Sequence, residues 1–245
     1  MARIYKNKET IDTKKVNAFF EKRFLPLNPL ASVMVRGSEN DGIAEERNKR
    51  EGRLLRSFIG QDVKISVFDI GCGMGRWVEN LKGNIKQYVG IDFVDSYVKY
   101  AQNLYRELSF VNFHKMSATN INKTCLTPPY NLIISTGLSM YLNDSALDLY
   151  VKEIPDFCSN GSLIYFRESI SVLEHRLTLK DWPSEELKTD YNAIYRTQSE
   201  YEEYFCRYWR GFTLIKTDLL LTKELGVRQE TNQRYWLFRK MDNKV

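Results

Sequence analysis

The stretch Val67-Phe68-Asp69-Ile70-Gly71-Cys72-Gly73-Met74-Gly75-Arg76-Trp77 leaves this chain little choice of fold. An apolar run ends at an aspartate, three glycines follow at alternate positions, and a helical pattern opens at Arg76. Glycines at that spacing let the backbone turn tightly and approach a ligand with no Cβ in the way, and a helix that starts there presents unpaired N–H groups. Strand, glycine loop and helix in this order open a parallel βαβ unit. The dinucleotide pattern Gly-x-Gly-x-x-Gly is not met, because its third glycine falls on Arg76 when counted from Gly71 and on Val78 when counted from Gly73. A nucleotide-dependent oxidoreductase is therefore the weaker reading.

From residue 63 the chain alternates strand-like and helix-like segments, the sign of a sheet covered on both faces. Strands are predicted near Val63 to Asp69, Gln87 to Ile91, Phe110 to Lys115, Tyr130 to Ser135 and Gly161 to Arg167. Helices are predicted over Arg76 to Leu81, Val94 to Leu108 and Asp144 to Phe157, the last behind an N-cap candidate at Asn143. Residues 168–197 break the rhythm with Trp182-Pro183, a cap candidate at Ser184 and scattered tyrosines, and read as an excursion over the carboxyl edge of the sheet. Gln198 to Tyr208 is helical in pattern. Phe212 to Leu221 and Arg234 to Arg239 then read as two strands joined by a loop, hence an antiparallel edge.

Residues 1–60 differ in kind. Asp12 to Phe24 reads as an amphipathic helix with Val16, Phe19 and Phe20 on one side, Pro26 and Pro29 interrupt it, and Gly42 to Phe58 resumes a charged helix. Too few apolar residues are present for a separate core, so this segment is expected to be a helical cap or lid on a domain spanning 61–245. The net charge of +5 is carried at the two ends of the chain, where Lys and Arg are interleaved with Glu and Asp. Nucleic-acid binders carry a basic stripe with aromatics between the charges, so no nucleic-acid partner is expected, and a small anionic substrate suits the bias better. No apolar run reaches the roughly 18 residues of a membrane span, no secretory leader is read at the start, and a cytoplasmic location is expected. Cysteines 72, 125, 158 and 206 are too widely spaced for a CxxC motif and are expected to be free thiols. Two histidines and no ligand cluster point to no metal. Oligomeric state is not legible.

The pair formed by Asp-x-Gly-x-Gly-x-Gly at 69–75 and Val89-Gly90-Ile91-Asp92 closing the next strand resembles class I S-adenosylmethionine-dependent methyltransferases. Asp92 follows Asp69 at an ordinary βαβ interval. The resemblance implies a Rossmann-like, doubly wound α/β sheet of seven strands, mostly parallel with an antiparallel C-terminal strand. It also implies a cofactor site. Asp92 would hold both ribose hydroxyls, for which a carboxylate has two acceptor oxygens. Asp69 would help position the methionyl ammonium, Gly71, Cys72 and Gly73 would cradle the cofactor, and Phe93 would lie against the adenine. Ser117, Ala118 and Ser135 complete the expected set, Ser117 standing where the family often has an acidic residue facing the adenine amine. S-adenosylhomocysteine would be the product.

The segments Phe19-Phe20-Glu21-Lys22-Arg23, Asn28-Pro29 and Ala44-Glu45-Glu46-Arg47-Asn48, taken with Gly73 to Trp77, resemble bacterial methyltransferases of capsule and surface-polysaccharide pathways. That resemblance implies an acceptor such as a sugar or a phosphate or phosphoramidate group. Glu168 and His175, leaving the fifth predicted strand at the carboxyl edge, are the candidate catalytic bases. Arg36, Tyr141, Tyr195 and Arg196 are the candidate acceptor-binding residues. A cofactor-binding partner subunit without chemistry of its own is the alternative to an enzyme.

Overall fold

The computed structural model describes residues 4–24, 29–30, 42–60, 62–185, 187, 189–222 and 228–242. Ile65–Ile70 (β2) is apolar almost throughout, as a strand covered by helices on both faces must be. It lies at the centre of a seven-stranded sheet with Ile85–Asp92 (β3), Val111–Lys115 (β4), Tyr130–Thr136 (β5), Cys158–Ser171 (β6), Phe212–Leu219 (β9) and Thr231–Lys240 (β10). The order is β4-β3-β2-β5-β6-β10-β9. The first five run parallel, and β10 is antiparallel to both β6 and β9. This is the expected Rossmann-like sheet with its reversed C-terminal strand.

Side-chain parity divides the core. Phe68, Ile133, Ile164 and Phe166 pack on one face beneath Asp144–Glu153 (α5) and Gln198–Tyr208 (α6), which contribute Tyr150, Tyr201 and Phe205. Val67, Leu132, Ile134 and Tyr165 face the other way, against Leu55 of Ile43–Ile59 (α2), Trp77 of Arg76–Asn80 (α3) and Ala101 of Asp95–Leu104 (α4). Thr197 and Glu200 form a reciprocal cap at the start of α6. Pro155 ends α5 early, so a three-ten turn, Ile154–Phe157, replaces the last part of the predicted helix.

Three findings depart from expectation. Residues 168–197 are regular: β6 runs on to Ser171, and Leu177–Ser184 (β7) pairs antiparallel with Thr189–Tyr195 (β8). Ile4–Tyr5 (β1) adds to β7, giving a second sheet of order β1-β7-β8. Asn143 precedes α5, but its side chain does not cap that helix. Its amide bonds both the N–H and the carbonyl of Ile11, at 2.9 and 3.0 Å. The two helices of the predicted lid also part company. Thr13–Lys22 (α1), capped by Asp12, packs Phe20 against Phe93 and Tyr141, whereas α2 buries Leu55 and Glu51 in the layer covering the large sheet. Among the described residues no helix is long and apolar enough to cross a membrane.

Candidate active site

Three left-handed glycines shape the loop after β2, with φ of 76° at Gly71, 55° at Gly73 and 80° at Gly75. A Cβ at Gly75 would also stand 2.7 Å from the Phe113 ring, so the loop tolerates no side chain there. The carboxylate of Asp92 accepts the N–H of Gly73 at 2.8 Å through one oxygen and that of Val94 at 2.9 Å through the other. Burial pushes its carboxyl up to about 6, an effect limited by those backbone donors. Asp69 is fully buried. One of its oxygens accepts the Tyr88 hydroxyl, and the other has no hydrogen-bond partner. Burial outweighs the Tyr88 hydrogen bond and the Arg76 charge and raises Asp69 to about 7. An orphaned carboxylate oxygen beneath a glycine loop fits a ligand that brings its own cation, as the methionyl ammonium would. Phe93 is half-buried beside Phe20, with ring centroids 6.0 Å apart.

Beside this loop lies a cleft of about 180 Å³. It is lined by Gly71, Cys72, Arg76 and Trp77 of the glycine loop and α3, by Thr136, Gly137, Met140 and Tyr141 at and after the end of β5, and by Leu179, Trp182, Tyr191 and Tyr195 of the small sheet. Arg47, Arg167 and Thr231, Asn232 and Gln233 of β10 line it as well. The Tyr141 and Tyr191 hydroxyls are 2.8 Å apart, and burial holds both well above the ordinary phenol range.

Of the residues singled out in the sequence, Gly71, Cys72, Tyr141 and Tyr195 line this cleft, and Asp69, Gly73, Asp92 and Phe93 gather at the adjoining loop. Ser117 follows β4 beside Asp92 but is exposed, with its hydroxyl 3.0 Å from that of Thr119, and Ala118 is buried in the core beneath β2 and β3. Arg36 lies outside the described residues.

Four of the candidates do not line the cleft. Glu168 is fully buried and faces away from the cleft: one oxygen accepts the N–H groups of Leu138 and Ser139, each at 3.0 Å, and the other has no partner. Burial raises its carboxyl despite those donors. His175 sits in the turn between β6 and β7, where its carbonyl accepts the Ser171 hydroxyl, and it is not among the residues lining the cleft. Ser135 points beneath α5, where its oxygen accepts the Tyr150 hydroxyl at 2.6 Å. Arg196 is fully buried, bonded to Asp144 and to the carbonyls of Ser139 and Leu142. Strand parity explains two of these. Glu168 shares the face of Phe166 and Ser135 that of Ile133, so their neighbours Arg167 and Thr136 reach the cleft instead.

Sequence reasoning missed Arg76, Arg167 and Glu51. Glu51, fully buried in α2, accepts Arg167 Nε at 2.9 Å and the Tyr165 hydroxyl at 2.9 Å, and pairs with Arg76 at 2.8 Å. Burial alone would raise its carboxyl, but the two guanidiniums hold it down at about 2. A signal for Arg167 and Tyr165 existed, since both lie on one face of a strand.

Residues 67–161 match the family model of a methyltransferase domain. Phosphoethanolamine N-methyltransferase 3 of Arabidopsis thaliana is 28% identical over 129 residues, 53% of this chain and 26% of that protein. Phosphoethanolamine N-methyltransferase 1 of Zea mays is 24% identical over 239 residues, 95% of this chain and 45% of that protein. The chain therefore spans less than half the length of these two curated relatives. Among solved structures, a SAM-dependent methyltransferase of Leishmania major aligns with a TM-score of 0.68 at 17% identity, over 93% of this chain and 82% of its own. The doubly wound sheet with its reversed last strand is thus the fold shared with SAM-dependent methyltransferases.

Proposed function

We propose that this chain transfers a methyl group from S-adenosylmethionine to a small, phosphate-type acceptor held in the cleft. One observation carries the reading: Gly71 and Cys72 of the glycine loop are walls of the same cleft that Arg76, Arg167, Tyr141 and Tyr191 line, so cofactor loop and acceptor space are continuous. The match of residues 67–161 to a methyltransferase domain supports the reaction class. The cofactor supplies a methyl group already activated on a sulfonium, which leaves the protein chiefly alignment and exclusion of water. Asp92 would take the ribose hydroxyls, the unpartnered oxygen of Asp69 the ammonium, and Phe93 the adenine. In the acceptor space Tyr141, Tyr191 and Tyr195 would orient the nucleophile by hydrogen bonds. Among the described residues lining the cleft there is no Asp, Glu or His. Phenols held far above neutral pH do not take protons there. Both facts favour an acceptor that arrives with its own negative charge or lone pair. Helix α1, with Phe20 between Phe93 and Tyr141, would serve as the lid.

The curated relatives are named for phosphoethanolamine, and the N-terminal motifs point to a surface-polysaccharide precursor carrying a phosphate or phosphoramidate. A phosphorus-centred anion is common to both. Calorimetry with S-adenosylhomocysteine, followed by methyl-transfer assays on phosphoethanolamine, phosphorylated and nucleotide-linked sugars and phosphoramidates, tests the reading. Cofactor binding with turnover on a phosphorylated acceptor is expected. Binding of NAD(P) in place of S-adenosylhomocysteine would overturn it, and cofactor binding without turnover on any acceptor would favour a non-catalytic partner subunit.

A further inference from the structure

We propose that Arg47, Arg76 and Arg167 form an oxyanion subsite, organised from behind by Glu51, that holds the anionic group of the acceptor. The inference rests on the methyl-transfer reading above and gives it a recognition element. Arg76 and Arg167 are almost wholly buried, with side chains 9% and 6% exposed, yet both reach the cleft wall. Burying a guanidinium is costly unless it is paired. Here a single carboxylate, Glu51, serves two guanidiniums, so these three groups together carry one positive charge, and burial pushes the further carboxylates near them, Asp69 and Glu168, toward their neutral forms.

The guanidiniums are held in fixed orientations. Arg76 donates to Asn48 Oδ1 at 2.9 Å and to Thr136 Oγ1 at 3.2 Å, and lies 4.3 Å from the centre of the Trp77 ring. Asn80 in turn donates to Asn48 Oδ1 at 2.7 Å. Arg167 turns its Nε to Glu51 and sets Nη1 over Gly137, where a Cβ would stand only 3.0 Å away. Gly137 therefore lets that guanidinium lie against the cleft. Arg47, 6% exposed, comes from the same face of α2 as Glu51 and lines the same cleft. The planar guanidiniums of Arg76 and Arg167, fixed by Glu51 and lining the cleft, match the paired oxygens of a phosphate or carboxylate. An ion-pair clamp that only tied α2 to the sheet would need one arginine for its one carboxylate.

Two oxyanions could fill this subsite, the acceptor's phosphate and the cofactor's own carboxylate, and binding measurements on the full chain separate them. Inorganic phosphate is titrated in the presence of saturating S-adenosylhomocysteine, and S-adenosylhomocysteine is titrated alone. The proteins are wild type, Arg76→Lys and Arg167→Lys, which keep the charge but lose the fork. Circular dichroism and melting confirm folding. Phosphate affinity is expected to fall at least about 10-fold in both variants, with S-adenosylhomocysteine affinity held within about 2-fold. Unchanged phosphate affinity in folded variants, or no phosphate binding by wild type, overturns the subsite. Loss of S-adenosylhomocysteine affinity alone overturns the acceptor assignment and gives the arginines to the cofactor carboxylate. Phosphate binding that depends on the arginines in a protein that binds no S-adenosylhomocysteine leaves the subsite standing and removes the methyl-transfer reading. Arg47→Gln, which leaves both Glu51 ion pairs in place, carries the test if a lysine variant does not fold.

Discussion

The Glu168 carboxylate accepts the backbone N–H of Ser139 at 3.0 Å, and the same oxygen takes the N–H of Leu138. It thereby fixes the start of the short turn that carries Met140 and Tyr141 into the cleft. Glu168→Gln keeps an acceptor oxygen and is expected to retain turnover within about 10-fold with an unshifted pH profile. Glu168→Ala leaves two amides without a partner and is expected to cost about 1–3 kcal/mol of stability. His175→Ala, at a half-buried turn residue that does not line the cleft, is expected to leave turnover within about 2-fold. Thermal melts and steady-state rates across pH check all three. A 100-fold loss of turnover in Glu168→Gln at unchanged stability would mark that carboxylate as a base after all.

Cofactor affinity should depend on pH. Asp92 and Asp69 are held by burial at about 6 and about 7 in the ligand-free fold. Because both lie above the ordinary carboxylate range, their contribution to stability is full below about pH 4 and is lost as pH rises through those values. Ribose hydroxyls and an ammonium are better served by the ionised forms. The affinity for S-adenosylhomocysteine, measured by calorimetry, is therefore expected to rise between about pH 5 and pH 8. Asp92→Asn should weaken binding by about 1–3 kcal/mol and flatten part of that rise. A flat wild-type profile would sever the link between these carboxylates and the cofactor.

Glu51 behaves in the opposite sense. Held at about 2, it supports the fold above its ordinary range, and that support fades as pH falls toward 2. Glu51→Gln leaves Arg76 and Arg167 without a carboxylate and is expected to destabilise the chain by about 3–5 kcal/mol. Urea midpoints at neutral pH measure this, and a shift under about 1 kcal/mol would show that solvent reaches the pair.

Gly137 has a φ of 71° and sits beneath Arg167. Gly137→Ala should cost about 1 kcal/mol or somewhat more of stability, since its backbone region disfavours a Cβ. It should also raise the acceptor KM more than the cofactor Kd, because the displaced group is the guanidinium. Equal effects on both constants would place Arg167 elsewhere in the reaction.

The lid reading is tested by hydrogen exchange. Glu21 accepts the Asp95 N–H at 3.1 Å and the Ser96 hydroxyl at 3.3 Å, which ties the C-terminal turn of α1 to the start of α4. Saturating S-adenosylhomocysteine is expected to slow exchange across residues 13–22, and indifference of that helix would remove the lid.

The glycine loop and the buried carboxylate beside it were legible in the sequence because backbone demands select residue types. Left-handed turns called for glycine at 71, 73 and 75, and a carboxylate at the end of the second βαβ strand read as a ligand group. Of the cleft, Tyr141 and Tyr195 were legible, but the charged residues were not, and strand parity is one reason. In a strand buried on both faces, hydrophobicity does not say which residue meets which helical layer, so Glu168 was favoured over Arg167. Arg76 drew notice only as the residue that breaks a dinucleotide pattern, and Glu51 was one charge among many in a polar helix. The pairing of Ile4 and Tyr5 with β7 joins residues about 170 positions apart and left no local trace. Ser117, Arg36 and the lid were expectations that rest on the same local reading.

The ring of Phe20 meets Phe93 on one side and Tyr141 on the other, with centroids 6.0 and 4.8 Å away. One side chain therefore borders both the proposed adenine pocket and the acceptor cleft. Any shift of α1 that favours one ligand changes the surface offered to the other, and equilibrium linkage makes the exchange symmetric: the factor by which bound cofactor alters acceptor affinity equals the factor by which bound acceptor alters cofactor affinity. In this fold, a single aromatic ring would be the physical link through which each ligand sets the affinity of the other.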